Sequence, residues 1–326
     1  MKALEGKVAV VAGATRGAGR GIACALGEAG ATVYCTGRST REKQTVTKRK
    51  NDEAFDLAKR PETIEETAEM VTARGGKGLF ARVDHTKEAE VKAFVERVKE
   101  EQGALHILVN DVWGGDELVE FGKPFWEVSL DKGRTMLERA IFSHVITAHF
   151  AAPLMIETGN GLIVEITDGD AFYYRGNIFY DLVKTSVIRL AFAFARELRR
   201  RNIAAVAVTP GYLRSEAMLE YMGVTEQNWQ EAAEKEPNFI MSESPLYVGR
   251  AVAALAADPN VSVKSGRVFS SWDLATEYDF TDADGRKPHW GKFYEEKYGE
   301  PIKKCDDGFY QYCFGGAVDT LFKDWP

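Results

Sequence analysis

A tyrosine and a lysine four residues apart, Tyr180 and Lys184, have the residue types and spacing needed for proton transfer. They stand at the head of a helical pattern of apolar residues that runs through Ala195, so the phenol and the ammonium lie on one helix face. A phenol has a pKa of about 10, and a cation one turn away favours the phenolate and moves the tyrosine toward working pH. Because the same pair occurs by chance in many helices, the elements around it must support a catalytic role.

A short strand and a polar turn precede this helix. Ile163, Val164 and Ile166 form a β-branched run typical of a strand. The next four residues, from Thr167 to Asp170, are turn formers. The stretch from 161 to 201 therefore predicts a strand, a turn and a helix that begins near Tyr180.

A glycine loop lies between the first predicted strand, residues 7–12, and a helix that ends at Gly30. A loop in this place exposes backbone N–H groups at a helix N-terminus to a phosphate. We expect Gly13 to permit the tight turn, Gly17 to let a cofactor approach the backbone, and Gly19 to permit close helix packing. Thr15 and Arg16 lie inside the loop and are further candidates for cofactor contacts.

The second predicted strand, residues 31–36, is followed by Gly37, Arg38 and Ser39. An enzyme that uses NAD usually has an acidic residue here to hold the ribose hydroxyls, whereas an arginine accommodates the extra phosphate of NADP. No acid stands at this place, and Arg16 offers a second positive charge. The sequence therefore favours NADP(H).

Strands and helices continue to alternate along the chain. A third strand closes in Asp84 and His85, the helix of residues 87–102 follows, and a fourth strand ends at Asn110. This alternation predicts an α/β fold, a Rossmann-type doubly wound parallel sheet that binds its ligands at the carboxyl ends of the strands.

With these motifs in order, residues 5–270 resemble the short-chain dehydrogenases/reductases, which are single-domain Rossmann enzymes with a Tyr-x-x-x-Lys active site. Gly13-x3-Gly17-x-Gly19 matches the family's cofactor loop, Asp84 its adenine-binding aspartate, and Asn110 the start of its Asn-Asn-Ala-Gly turn. The resemblance also assigns cofactor contacts to Tyr180, Lys184 and a segment matching the family's Pro-Gly motif, which contains Pro210, Gly211, Leu213 and Ser215. It implies an oxidoreductase in which Tyr180 is the general acid or base.

Two of the family's four active-site members are replaced. The family's Ile-Ser-Ser ending becomes Ile166-Thr167-Asp168, and Ala140 falls near the position of the usual asparagine. An ionised Asp168 close to the phenol would oppose the help from Lys184. Four alternatives stay open: Asp168 is a neutral donor, it faces a cationic imine or amine, Thr167 takes the serine's role, or Asp168 faces away and activity is weak or lost.

The resemblance divides the chain into a Rossmann domain over residues 1–272 and an aromatic-rich extension over 273–326. The domain carries a polar insertion at 40–60 and a substrate lid, helical in pattern, at about 213–240. Large apolar residues in the lid fit a hydrophobic or aromatic substrate, although a packed amphipathic helix would show the same pattern. We expect the extension to wrap over the domain or a neighbouring subunit.

Composition limits the partners. The 326 residues are 45% hydrophobic and carry a formal net charge of -7, which gives no general attraction to nucleic acid or an anionic membrane. We expect no membrane span, signal peptide or metal site, and a cytoplasmic homodimer or homotetramer that acts on a small molecule. The alternative is a catalytically silent NADP-binding sensor or scaffold.

Overall fold

A computed structural model describes residues 2–42, 60–171 and 173–299. Seven parallel strands form one sheet in the order β3-β2-β1-β4-β5-β6-β7. The strands are β1 (Val8–Ala12), β2 (Thr32–Gly37), β3 (Lys77–Arg82), β4 (Ile107–Asn110), β5 (Gly161–Ile166), β6 (Ile203–Thr209) and β7 (Val268–Ser270). Every residue of β1, β4 and β6 is buried, as expected for parallel strands covered on both faces. The predicted Rossmann-type sheet is confirmed.

Helices cover both faces of this sheet. They are α1 (Gly17–Glu28), α2 (Ile64–Ala73), α3 (Glu88–Gln102), α4 (Leu130–Leu137), α5 (Ser143–Thr158), α6 (Ile178–Leu198), α7 (Glu216–Met222), α8 (Pro245–Ala257), α9 (Ser271–Tyr278) and α10 (Trp290–Tyr298). Apolar side chains of α1, α2, α8 and α9 pack on one face, and those of α3 and α5 pack on the other. The loops that leave the carboxyl ends of the strands therefore meet at one edge of the sheet.

The helical run through α4 and α5 is broken by a π-helical turn at Glu138–Phe142. The whole run, Leu130–Thr158, is long and apolar enough to cross a membrane by length and composition alone, which the sequence analysis did not expect. Its side chains Ala148, Leu154 and Met155 are buried in the cluster that covers the sheet. We therefore describe it as a core helix of the Rossmann fold.

The lid predicted at 213–240 contains α7 and two 3-10 turns, Trp229–Glu234 and Pro237–Met241. The helical pattern of this segment is interrupted because Gly223 ends α7 in the left-handed region, with φ +73. The predicted boundary at residue 273 falls inside α9. The insertion at 43–59 and the extension from residue 300 onward lie outside the described residues, so the domain limits stay a prediction.

Candidate active site

A cleft of about 840 Å³ opens at the carboxyl edge of the sheet. It is lined by most of the residues that the sequence nominated: Gly13, Thr15, Arg16, Gly17, Arg38, Ser39, Asp84, His85, Asp168, Tyr180, Lys184, Pro210, Gly211, Leu213 and Ser215. Gly19 and Asn110 do not line it. The topology thus brings together loops that are up to about 200 residues apart in sequence.

Tyr180 and Asp168 face each other across the middle of the cleft. The Tyr180 hydroxyl donates a hydrogen bond to Asp168 Oδ2 at 2.8 Å. Asp168 follows β5, whereas Tyr180 lies in the first turn of α6, where the Asn177 side chain accepts hydrogen bonds from the backbone N–H groups of Phe179 and Tyr180. This cap fixes the start of the helix and hence the position of the phenol.

The surroundings keep Tyr180 in its phenol form. Burial raises the pKa of Tyr180 well above its ordinary value, and the charge of Asp168 and its hydrogen bond raise this pKa further. Lys184 Nζ lies 4.9 Å from the centroid of the Trp113 ring and 5.8 Å from that of Tyr180. Burial lowers the pKa of Lys184, while the nearby carboxyl groups of Asp168 and Asp111 oppose that decrease. The phenol therefore keeps its proton in this arrangement, and the predicted shift of the Tyr180 pKa toward neutral pH is wrong, because burial and Asp168 outweigh any effect of Lys184.

Two of the alternatives for the missing serine can be compared with the geometry. Thr167 is buried and its hydroxyl donates to the backbone carbonyl of Lys184 at 2.7 Å, so it is engaged with α6. Asp168 points at Tyr180 rather than away from it. Ala140 lies in the π-helical turn and lines a small cavity that also touches Lys184 and His144. The aspartate is therefore the side chain that stands beside the phenol.

Arg175 fixes the loop that carries Asp168. Its buried guanidinium donates to the backbone carbonyls of Asp168, Ala171 and Tyr173 and pairs with the Asp181 carboxylate at 3.1 Å. One side chain therefore binds both the loop after β5 and the first turn of α6. The sequence analysis missed this residue because its partners are backbone atoms, which leave no residue-type signal.

The glycine loop has the conformation that a nucleotide cradle requires. Gly13 has φ +95, and a Cβ at this position would lie 2.4 Å from the Asp111 carbonyl oxygen. A Cβ on Gly19 would lie 2.4 Å from the Gly13 carbonyl oxygen, which accounts for its close packing. Only glycine fits either place, so these two residues keep the turn between β1 and α1 tight and leave the N–H groups at the start of α1 close to the sheet edge.

Carboxylates occupy the N-terminus of α1. The Gly17 N–H donates to Glu216 Oε2 at 2.8 Å, and the Gly19 N–H donates to the Asp111 carboxyl group. Burial raises the pKa of Asp111 to about 7, while the charges of Lys184 and His144 oppose this shift. A helix N-terminus that holds carboxylate oxygens is also suited to a phosphate, so these residues fit the pyrophosphate of a dinucleotide.

Positive side chains gather at the end of the cleft next to β2. Burial lowers the pKa of Arg38, and the charge of Arg139 lowers it further. Arg16 Nε lies 3.4 Å from Glu62 Oε2, and Arg60 binds both oxygens of the same carboxylate. We call this part of the cleft the β2 end. Glu62 and Arg60 were not nominated, because they adjoin a polar segment with no period.

Asp84 and His85 follow β3, the strand next to β2. Asp84 accepts from the backbone N–H and the hydroxyl of Thr86, and these bonds lower its pKa despite the opposing effect of burial. His85 is buried between the hydroxyls of Thr36 and Thr147, each at 2.8 Å, and burial lowers its pKa to about 3. His85 is therefore a neutral support for the floor of the cleft.

Asn110 supports the site from below. Its side-chain amide donates to Glu165 Oε1 at 2.7 Å, and Glu165 Oε2 lies 2.6 Å from His144 Nδ1. His144 Nε2 in turn lies 3.1 Å from the carbonyl oxygen of Val112. This buried chain of polar contacts anchors the loop after β4, and the sequence analysis missed both Glu165 and His144.

A buried glutamate holds the Pro-Gly segment after β6. Glu243 Oε2 accepts from the Gly211 N–H at 2.9 Å and from the Ser271 hydroxyl at 2.6 Å. The backbone of Glu243 also bonds to that of Tyr212 and Arg214. Burial raises the pKa of Glu243 to about 8 against the effect of these hydrogen bonds. We call this part of the cleft the β6 end.

Aromatic side chains line the cleft around Tyr180 and beyond it. Trp113 and Phe121 meet the Tyr180 ring edge to face, with centroid distances of 5.4 and 5.8 Å. Trp272 and Trp290, from α9 and α10, also line the cleft, and Trp290 packs edge to face on Tyr212 at 5.9 Å. The described part of the C-terminal extension therefore contributes to the pocket wall.

Comparison with known proteins agrees with this geometry. A family model described as short chain dehydrogenase matches residues 49–222. The mouse protein named Dehydrogenase/reductase SDR family member 1 is 34% identical over 287 residues, which cover 87% of this chain and 85% of that protein. The 7alpha-hydroxysteroid dehydrogenase of Clostridium sardiniense is 32% identical over 223 residues, 68% of this chain and 76% of its own length.

The solved structures agree at the level of the fold. A short chain dehydrogenase from Mycobacterium thermoresistibile superposes with a TM-score of 0.69 at 21% identity, covering 88% of this chain and 92% of that structure. The family comprises oxidoreductases that use a nicotinamide cofactor, NAD or NADP, and act on small molecules. With its sheet, its glycine loop and its matches, this chain belongs to the short-chain dehydrogenase/reductase family.

Proposed function

We propose that the protein is an NADPH-dependent reductase of carbonyl or imine groups on small hydrophobic or aromatic molecules. The observation that carries the proposal is the Tyr180 hydroxyl, held as a phenol 2.8 Å from Asp168 in a cleft that also contains the glycine loop. When bound, the nicotinamide supplies a hydride. The protein's own residues then have to bind both molecules, orient them and move one proton.

The residues at the β2 end favour NADP over NAD in this proposal. Arg38 and Arg16 line the cleft there, and among the described residues no carboxylate follows β2 at the place where one would hold the ribose hydroxyls. Thr15, Ser39, Asp84 and His85 line the same end and complete the proposed adenosine site. Pro210, Gly211, Leu213 and Ser215 line the opposite end and are proposed to hold the nicotinamide amide.

Proton transfer falls to Tyr180 in this proposal. Its raised pKa keeps a proton on the phenol at neutral pH, so Tyr180 carries the proton that reduction consumes. Lys184 lies one helical turn away and is proposed to hold the ribose beside the nicotinamide. Asp168 orients the phenol through the 2.8 Å hydrogen bond.

The walls support a hydrophobic ring as the substrate. Trp113 and Phe121 contact the Tyr180 ring, and Tyr212, Trp272 and Trp290 line the same cleft. One relative is named a 7alpha-hydroxysteroid dehydrogenase, a name that points to a cyclic, largely apolar substrate in that protein. We further propose that the enzyme is cytoplasmic, acts as a homodimer or homotetramer, and uses residues 213–240 as a lid.

The experiment is a spectrophotometric assay of NADPH consumption with aromatic ketones, quinones and cyclic imines. Y180F should reduce turnover at least about a thousandfold, because the proton donor is lost, while NADPH affinity measured by fluorescence stays within about twofold. Y174F, which removes the hydroxyl of an exposed tyrosine before α6 and leaves the Tyr180 donor in place, is the matched control.

The competing function is a silent NADP-binding protein, favoured by Asp168 and Ala140 in place of the family's serine and asparagine. NADPH binding without turnover of any compound in the panel, in wild type as in Y180F, would establish that alternative.

A further inference from the structure

Asp168 stands where a substrate atom must approach Tyr180. The phenol can protonate a substrate only if the reacting atom comes within hydrogen-bond distance of its oxygen, which is about 2.6–3.2 Å. Asp168 Oδ2 already lies 2.8 Å from that oxygen. Two atoms that both contact the Tyr180 oxygen lie within about 6 Å of each other, so a reacting atom bound to the phenol is close to the carboxylate.

A carbonyl oxygen is a poor match for this neighbour. A ketone oxygen carries only lone pairs and gains negative charge as hydride arrives, while an ionised carboxylate can only accept hydrogen bonds. The two groups would repel each other most strongly in the transition state, which is where an enzyme has to bind best. A serine in this place would donate instead, and the nearby Thr167 hydroxyl is engaged with the Lys184 carbonyl.

A protonated nitrogen matches the same site. An N–H on an iminium group donates to Asp168 while its positive charge is attracted by the carboxylate. Asp116, which accepts from the Trp113 indole at 2.6 Å, adds negative charge that reaches Tyr180. The opposing cations are Lys184 and Arg175, and the guanidinium of Arg175 is bound to three backbone carbonyls and Asp181.

The aromatic walls favour the same class of ligand. Trp113 and Phe121 present their rings to the reaction centre, and Tyr173, Tyr212 and Trp290 line the cleft around it. Aromatic faces attract organic cations as well as flat apolar rings. Together, these groups form an aromatic pocket with a carboxylate beside the proposed proton donor.

We infer that the substrate is a cyclic imine, bound as its iminium cation with the nitrogen on Asp168 and the carbon facing the nicotinamide. This inference rests on the proposed function and names its substrate class. A neutral imine first takes one proton from Tyr180, which regains a proton from solvent after the reaction. The C=N carbon then accepts hydride from NADPH, the π electron pair moves to nitrogen, and the products are a neutral secondary amine and NADP+. Asp168 keeps its hydrogen bond to the N–H throughout.

The first test compares two bicyclic compounds of similar shape, 3,4-dihydroisoquinoline as the imine and 1-tetralone as the ketone. Wild type should reduce the imine with a kcat/KM about tenfold to a hundredfold higher, the range expected from one charge-assisted hydrogen bond. D168S should reverse this preference. D131N, at a carboxylate that is 92% exposed on α4, is the control and should keep it.

The second test measures binding without turnover. Calorimetry in the presence of NADP+ should show 1,2,3,4-tetrahydroisoquinoline binding at least about tenfold more tightly than isochroman, its neutral isostere. D168N should remove the difference, and NADP+ binding by D168N verifies that the variant is folded.

The outcomes separate the two proposals. Faster reduction of the ketone by wild type, or equal binding of amine and isochroman, overturns the inference and leaves the proposed reductase intact. Turnover of neither compound counts against the proposed function, and the binding preference then still decides whether the pocket selects a cation.

Discussion

Two buried glutamates, one at each end of the cleft, are held by different partners. At the β2 end, Glu62 is bound by both nitrogens of the Arg60 fork and pairs with Arg16. At the β6 end, Glu243 binds the Gly211 N–H and the Ser271 hydroxyl, which are neutral donors. The guanidinium of Arg214, whose charge acts on Glu243, pairs with Glu226, Asp282 and Asp284.

The difference shows how one residue type supports two kinds of site. A buried carboxylate that is paired with guanidinium groups is stabilised in its charged form. In return it neutralises the positive charge of those groups, which are then less available to a ligand. A buried carboxyl group with neutral donors escapes the cost of desolvation by keeping its proton, so it can hold a backbone segment without adding charge beside the ligand. We therefore expect the charged side chains of the β2 end to determine cofactor affinity. We expect the β6 end to hold the Pro-Gly segment in position, and this effect should depend on pH.

The largest expected effect is the pH dependence of stability caused by Glu243. Its pKa is raised to about 8 in the folded protein, above the ordinary value of 4.5 in the unfolded chain. Between these values the folded state holds a proton that the unfolded state has released, so the free energy of unfolding falls as pH rises, by roughly 1 kcal/mol per pH unit at most. E243Q has no proton to lose and should remove that decline.

Thermal unfolding between pH 5 and pH 8 measures this difference. The melting temperature of E243Q relative to wild type should increase with pH, whereas E127Q, at an exposed carboxylate, should follow wild type throughout. A constant offset between E243Q and wild type across this range would contradict the proposed protonation and the contrast with Glu62.

The next effect concerns the arginines of the β2 end. Glu62 already pairs with Arg16, whereas none of the ion pairs between described residues involves Arg38. R38A should therefore weaken NADPH binding by about tenfold to a hundredfold, the loss of a charge-assisted contact to phosphate, and should change NADH binding little. R16A should have a smaller effect.

Fluorescence titrations at low and high salt distinguish the two arginines. Wild type should lose NADPH affinity as salt rises, and R38A should lose less of it, because the screened contact is absent. R97A, on the far side of the sheet on α3, serves as the control. Equal losses in R16A and R38A would show that the pairing with Glu62 does not withdraw Arg16 from the cofactor.

Site residues could be predicted from the sequence when the residues that define their motif lie close together in the chain. Gly13, Tyr180 and Lys184 belong to local patterns, since a strand, a loop and a helix N-terminus place them within a few residues. The alternation of strands and helices likewise predicted the sheet, because parallel strands need helical crossovers. Their roles in catalysis remain proposals.

The missed residues act through tertiary contacts. Glu243 reaches Gly211 from 32 residues away, and Glu216 reaches Gly17 from 199 residues away. No spacing rule links such positions, because their proximity depends on how α7, α8 and α9 pack over the carboxyl edge of the sheet. Arg175 was missed for a different reason, since it recognises backbone carbonyls that every sequence provides.

The smallest expected effect concerns Glu216, which lies at the N-terminus of α1. Its carboxylate accepts from the Gly17 N–H at 2.8 Å and lies 3.6 Å from Arg20 Nε, so it occupies part of the helix terminus proposed for the pyrophosphate. E216Q keeps a carbonyl oxygen for Gly17 but removes the negative charge. Because like charges at a helix N-terminus compete, E216Q should tighten NADPH binding by about twofold to fivefold.

E234Q, at an exposed carboxylate in the 3-10 turn after α7, separates a local effect from a general change in charge. Both variants alter the net charge equally, so a contact at the helix terminus would make E216Q bind NADPH more tightly than E234Q. Weaker binding by E216Q would mean that Glu216 holds the glycine loop in its binding conformation. In that case the carboxylates at the start of α1 support the cofactor site in the way that Glu243 supports the β6 end, by hydrogen bonding to backbone N–H groups.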